Sequence, residues 1–161
     1  MASNTICLDR GLLKSEVFRS LSKKAILVYF DFRMKCRVQR TKAKPGRQDA
    51  WNIINNGEIE YTYSEAEKKG ILRASFMRSL DELIGKGLID VAHSGSGGVK
   101  GDKSKYSISE RWQAWGTNRF VEKIRPKDTR GGRGFAVYWR KKKTNIGNKN
   151  DNPPVIKNDN L

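Results

Sequence analysis

Residues 55–109 constrain this chain most: NNGEIEYTYSEAEKKGILRASFMRSLDELIGKGLIDVAHSGSGGVKGDKSKYSIS. In EIEYTY, Ile59, Tyr61 and Tyr63 fall on one face and Glu58, Glu60 and Thr62 on the other, the alternation of a half-buried strand. Asn55, Asn56 and Gly57 before it supply a turn, because Asn and Gly tolerate positive φ. Ser64 and Glu67 have capping-box spacing, so a short helix is expected over 65–69. Gly70 can stop that helix in the left-handed conformation. Phe76, Leu80, Leu83 and Ile84 then form an i, i+4, i+7, i+8 stripe, which predicts a second, longer helix. Gly85 and Gly87 mark its end. Ile89 and Val91, then Tyr106 and Ile108, bracket a long polar loop, so a β-hairpin with a glycine- and lysine-rich tip is expected. The predicted order is strand, short helix, turn, longer helix, hairpin.

Charge points to the partner. The 161 residues hold 33 Lys and Arg against 17 Asp and Glu, a net +16. Such an excess repels itself in a compact fold and is commonly retained where the partner is a polyanion. The excess is uneven. Residues 33–47 contain seven bases and no acid; residues 119–149 contain eleven bases and two acids; residues 58–90 contain five bases and seven acids. The centre is near neutral, and positive charge gathers in the flanks and loops.

Around the centre the chain is simpler. Residues 1–11 lack periodicity and read as a loose arm. Leu21, Ala25, Val28, Tyr29 and Phe32 recur at helical spacing, so residues 14–36 read as one or two helices, with Ser22 able to cap the start. Leu12, Leu13, Val17 and Phe18 form either a homodimer surface or a cover for the core. Residues 37–50, basic and containing Pro45 and Gly46, read as a mobile loop. Trp112 and Trp115 are placed to close the core. The last segment is polar and Asn-rich, the composition of a disordered tail. The expected organisation is an arm (1–11), one domain (12–118) and a basic extension (119–161).

Several function classes are set aside. No run of about 18 apolar residues exists, so no membrane span is expected. The N-terminal stretch MASNTICLDRGLLKSE has no signal-peptide pattern, so a cytoplasmic location with free thiols is expected. Cys7, Cys36 and His93 are too few for a zinc site without carboxylates. No metal or other cofactor is expected. GSGGVKGDKS fails as a phosphate loop because its Lys-Ser pair follows Asp102 instead of Gly. Glu67-Lys68-Lys69 matches the end of a nuclease pattern, but only over three residues. The expectation is not an enzyme, with no catalytic residues.

The stretch from 11 to about 120 resembles winged helix-turn-helix proteins of bacteria, their plasmids and phages, including replication-initiator-like and regulator-like members. GLLKSEVFRSLSKKAILVYFDF, NNGEIEYTYSEAEKKGI, SFMRSLDELIGKGLID and YSISERW carry the resemblance. It implies an α+β fold: a three-helix core with a small antiparallel sheet and wing, followed by a basic, partly disordered extension. It places the recognition helix at 73–86 and the wing at 93–105. The implied function is double-stranded DNA binding in replication initiation or control, or in transcriptional regulation, with nucleoid or plasmid association.

Arg73, Ser75, Arg78 and Ser79 are then the residues expected to face the major groove. Arg bonds guanine in bidentate fashion and Ser reaches base or phosphate. Lys100, Lys103 and Lys105 would meet phosphate or the minor groove from the wing. Arg40, Lys42, Lys44, Arg140, Lys141, Lys142 and Lys143 would add non-specific phosphate attraction. Two other readings stay open: RNA or single-strand binding through the basic C-terminal part, where RGGRGF and Tyr138-Trp139 lie beside cations, and a protein-interaction winged helix.

Overall fold

One aspartate and two serines set the corners of the N-terminal region. The computed structural model describes residue 6 and residues 8–41, 50–95 and 102–126. Asp9 accepts from the Gly11 amide to start α1 (Arg10–Lys14), Ser15 accepts from Phe18 to start α2 (Glu16–Arg19), and Ser22 accepts from Ala25 to start α3 (Lys23–Lys35). Each side chain satisfies an amide that the first helical turn leaves without a carbonyl. Ser22 thus caps as its position predicts. The helix begins at Arg10, inside the segment expected to be a loose arm. Leu12 and Val17 are buried, so they cover the core.

The chain then makes a ribbon where a loop is expected. β1 (Val38–Thr41) pairs antiparallel with β2 (Ala50–Ile53), Val38 opposite Ile53 and Arg40 opposite Trp51. The reason is non-local. Asn55 accepts from the Arg37 amide at 2.7 Å and donates to the Lys35 carbonyl at 3.0 Å, pinning the base of the ribbon, where both strands meet it, to the end of α3. Residues 42–49, which carry Lys42 and Lys44, lie outside the described residues.

β3 (Ile59–Glu60), β4 (Ile89–His93) and β5 (Lys105–Ile108) form a second antiparallel sheet in the order β3-β5-β4. Gly57 enters it at φ +93°. Asn56 extends the ladder with its side chain, accepting from the Ile108 amide at 2.7 Å and donating to the Ile108 carbonyl at 3.2 Å. The strand expected over EIEYTY is only two residues long. It ends early because Thr62, not Ser64, caps α4 (Tyr63–Lys68), accepting from the Glu65 amide. Tyr63 gains by the shift: its ring meets Phe76 edge-on at 5.2 Å.

Gly70, at φ +79°, turns the chain from α4 into α5 (Arg73–Gly85). The turn closes when the Ile71 amide bonds the Ala66 carbonyl at 2.9 Å. Ala66 is fully buried in α4, which packs on α5, so a larger side chain there would push against its neighbours. The predicted stripe of Phe76, Leu80, Leu83 and Ile84 is buried to the last residue. Each such burial contributes about 1.5–3 kcal/mol. α5 packs on α3, and a chain of rings joins helices to sheet: Phe32 lies 5.3 Å from Tyr61 and 5.1 Å from Tyr106, and Tyr61 lies 4.7 Å from Phe76.

Gly87, at φ +76°, leads from α5 into β4 and receives a 3₁₀ turn (Arg111–Ala114) against its backbone, the Trp112 amide bonding its carbonyl at 3.1 Å. Trp112 packs on the core as expected, whereas Trp115 is more exposed and stacks edge-on with Phe120. Among the described residues the fold is mixed α+β, five helices with two small antiparallel sheets. The chain divides into Met1–Pro126 and Lys127–Leu161, and the second unit lies outside the described residues. Residues 119–126, assigned to the extension by composition, belong to the first unit.

Candidate nucleic-acid interface

One face of α5 is consumed by the core, so its chemistry lies on the other. Leu72, Arg73, Ala74, Met77, Arg78 and Asp81 are exposed. Arg73 lays its guanidinium 4.9 Å from the centre of the Tyr63 ring. The Arg78 side chain makes no hydrogen bond or ion pair among the described residues. No side chain caps the first turn of α5, so its leading amides are open to an acceptor.

Of the four side chains assigned to this face, Ser79 must be corrected. It is 2% exposed, and its hydroxyl donates to the Ser75 carbonyl at 2.9 Å. Position 79 is three residues after Phe76 and four before Leu83, so helical spacing alone puts it on the core stripe. Ser75 sits at the edge, half-buried, and accepts from Lys24 of α3 at 3.1 Å. Glu82 is turned toward α3 as well. It accepts from the Ser22 amide at 2.9 Å and the Ser22 hydroxyl at 2.7 Å, and pairs with Lys86 at 3.0 Å. Burial pushes the Glu82 carboxyl up, but the Ser22 bonds and Lys86 outweigh it and hold the carboxyl below its ordinary value.

The far end of the described chain adds a residue that sequence reading missed. Arg125 pairs with Asp81 at 2.8 Å and donates to the Tyr63 hydroxyl at 2.9 Å. It is 44 residues from Asp81, and no local pattern signals the pairing. Arg111 holds this segment in place. It pairs with Asp90 at 2.7 Å, donates to the Ile84 carbonyl at the end of α5, and donates to the Val121 carbonyl at 2.6 Å. Lys123 adds a second contact to Asp90 at 3.3 Å. Burial raises the Asp90 carboxyl, but the bonds from Arg111 and Ser109 overcome it, and the net direction is down.

The β4–β5 hairpin stands where the wing is expected, and its described lysines are engaged. Lys103 pairs with Glu60 at 3.0 Å, and Lys105 pairs with Glu58, which pushes the Lys105 ammonium up. His93 meets Asp102 at 2.9 Å. Lys100 lies outside the described residues, as do Arg140, Lys141, Lys142 and Lys143 and with them the RNA-binding reading of the C-terminal part. Arg40 is on β1, 6.0 Å from the Trp51 ring.

Among the described residues no three His, Cys, Asp or Glu side chains gather as metal ligands. Glu65, beside the nuclease-like triplet, pairs with Lys35 and Lys69. The Cys36 thiol is pushed up by burial, which disfavours the thiolate. No helix among the described residues is long and apolar enough to cross a membrane. Comparison with protein families, curated proteins and solved structures finds no match for this chain.

Proposed function

We propose that this chain binds double-stranded DNA through a winged helix-turn-helix. In this reading α3, α4 and α5 are the three core helices, α5 enters the major groove, and the β4–β5 hairpin is the wing. The observation that carries it is the outward face of α5. Arg73 and Arg78 project from a helix seated on the core by its opposite stripe, next to a glycine turn and a short supporting helix. Apart from the β1–β2 ribbon inserted after α3, the chain order α3-β3-α4-α5-β4-β5 and the sheet order β3-β5-β4 agree with that plan. The net +16 supplies the attraction.

Within the proposal, Arg73 and Arg78 contact base edges or phosphates, and Ser75 and Lys24 flank them at the edge toward α3. Ser79 has no part. Lys103 and Lys105 must exchange their carboxylate partners for phosphate. Lys103 is 53% exposed, and exposed ion pairs are worth only about 0–1 kcal/mol, so the exchange costs little. The biological setting proposed is replication initiation or control, or transcriptional regulation. Competition among random duplex, duplex selected from a random pool, and structured RNA, repeated at rising salt, tests the reading. The selected duplex is expected to win at every salt concentration, with all affinities falling steeply as salt rises. Equal retention of RNA and selected duplex would refute it.

A further inference from the structure

The β1–β2 ribbon presents a second surface, of which the duplex reading uses only the charge of Arg40. Trp51 is 54% exposed, an uncommon place for the largest apolar side chain. The Arg40 guanidinium lies across the strand pair from it, and Asn52 bonds Thr41 at 3.1 Å to brace the ribbon beside the indole. A two-stranded ribbon is marginal in water by itself, so an exposed aromatic on one contributes little to the fold. Trp51 is also the rim of a cleft of about 450 Å³, which reaches in to Tyr29, Arg33 and Trp112. That volume lies within the roughly 300–1,000 Å³ of small-molecule sites. No wall of the cleft comes from α4 or α5.

We propose that this cleft and ribbon take an unpaired nucleobase of a DNA strand, stacked on Trp51. The π face of an indole accepts any base, and arginine beside it adds cation–π attraction. Charge sets the direction of entry. Asp9 and Glu110 line the cleft against a single base, Arg33, so its balance is negative and disfavours a phosphate, whereas Arg37 and Arg40 stand exposed on the ribbon side. The base therefore goes in and the sugar-phosphate chain stays outside, along the arginines. That arrangement favours a strand over a free nucleotide, because only a strand brings flanking phosphates to the ribbon. This site shares no residue with α5, so its claim is independent of the duplex reading.

The test uses the full chain and three probes: a thymidine oligonucleotide of about 12 nucleotides, thymidine monophosphate, and the selected duplex. The oligonucleotide is expected to quench tryptophan fluorescence and to bind far more tightly than the mononucleotide. Trp51→Ala is expected to weaken oligonucleotide binding about 5- to 150-fold, with duplex affinity unchanged. Trp51→Phe, which keeps a ring, retains most of the affinity and serves if the alanine variant folds poorly. The proposal is overturned if the wild type ignores the oligonucleotide, if the mononucleotide binds as well as the strand, or if Trp51→Ala leaves oligonucleotide affinity intact. Wild-type binding of the oligonucleotide without the duplex would refute the α5 reading alone.

Discussion

Gly70 and Gly87 share a left-handed backbone but not an environment. Nothing lies within 4 Å of a Cβ built on Gly70, whereas one on Gly87 would sit 2.9 Å from both the Arg111 Cβ and the Trp112 amide nitrogen. Gly70→Ala is therefore expected to cost only the left-handed conformation, about 1–2 kcal/mol. Gly87→Ala should cost clearly more, because backbone of the 3₁₀ turn must also move. Urea unfolding of the two variants measures the difference; equal losses would show that the turn yields freely. A second residue-scale case is Asp31, 8% exposed, which accepts from the Tyr61 hydroxyl at 2.5 Å and from Lys69 at 2.9 Å. Burial and this carboxylate together hold the Tyr61 hydroxyl protonated far above its ordinary range. Tyr61→Phe keeps the ring contacts with Phe32 and Phe76 and removes one donor from a buried carboxylate. The expected loss is about 1–3 kcal/mol, read from the same unfolding curves.

At the scale of elements, α3 and α5 are tied by Ser22 and Glu82, and α5 is tied to β4 and to the segment holding Val121 and Lys123 by Arg111 and Asp90. Both carboxyls sit below their ordinary values in the folded chain. Their stabilising contribution is thus fully present above the unfolded carboxyl pKa of about 4 and is lost as pH falls through the lower folded values. Stability should decline over that acid range, and Glu82→Gln combined with Asp90→Asn should flatten the decline. Thermal melting from neutral to acid pH decides this; an unchanged slope in the double variant would contradict it. These ties also explain what the sequence could reveal. The α5 stripe, the Gly70 turn and the Ser22 cap were legible because each depends on neighbours within four residues or so. Ser79 was legible too, since the stripe's own spacing encloses it. The helix start at Thr62 in place of Ser64 turned on where the Tyr63 ring finds Phe76. The β1–β2 ribbon and the Arg125–Asp81 pair depend on partners far along the chain, and no local pattern records them.

For the whole molecule, positive charge and the exposed α5 ridge are separate contributors to the proposed binding. Neutralising Arg140, Lys141, Lys142 and Lys143 together is expected to weaken all nucleic acids alike and to lower the salt slope by about 1 for each phosphate that is no longer neutralised. Arg78 should behave differently, because it stands on the helix proposed to read the groove and has no partner among the described residues to give up. The most direct measurement is the affinity of wild type and Arg78→Ala for the selected duplex and for random duplex, taken over a range of salt. A weakening by about 1–3 kcal/mol confined mainly to the selected duplex, with melting temperature unchanged, is the predicted result. Unaltered affinity and unaltered preference would contradict the assignment of α5 to the groove.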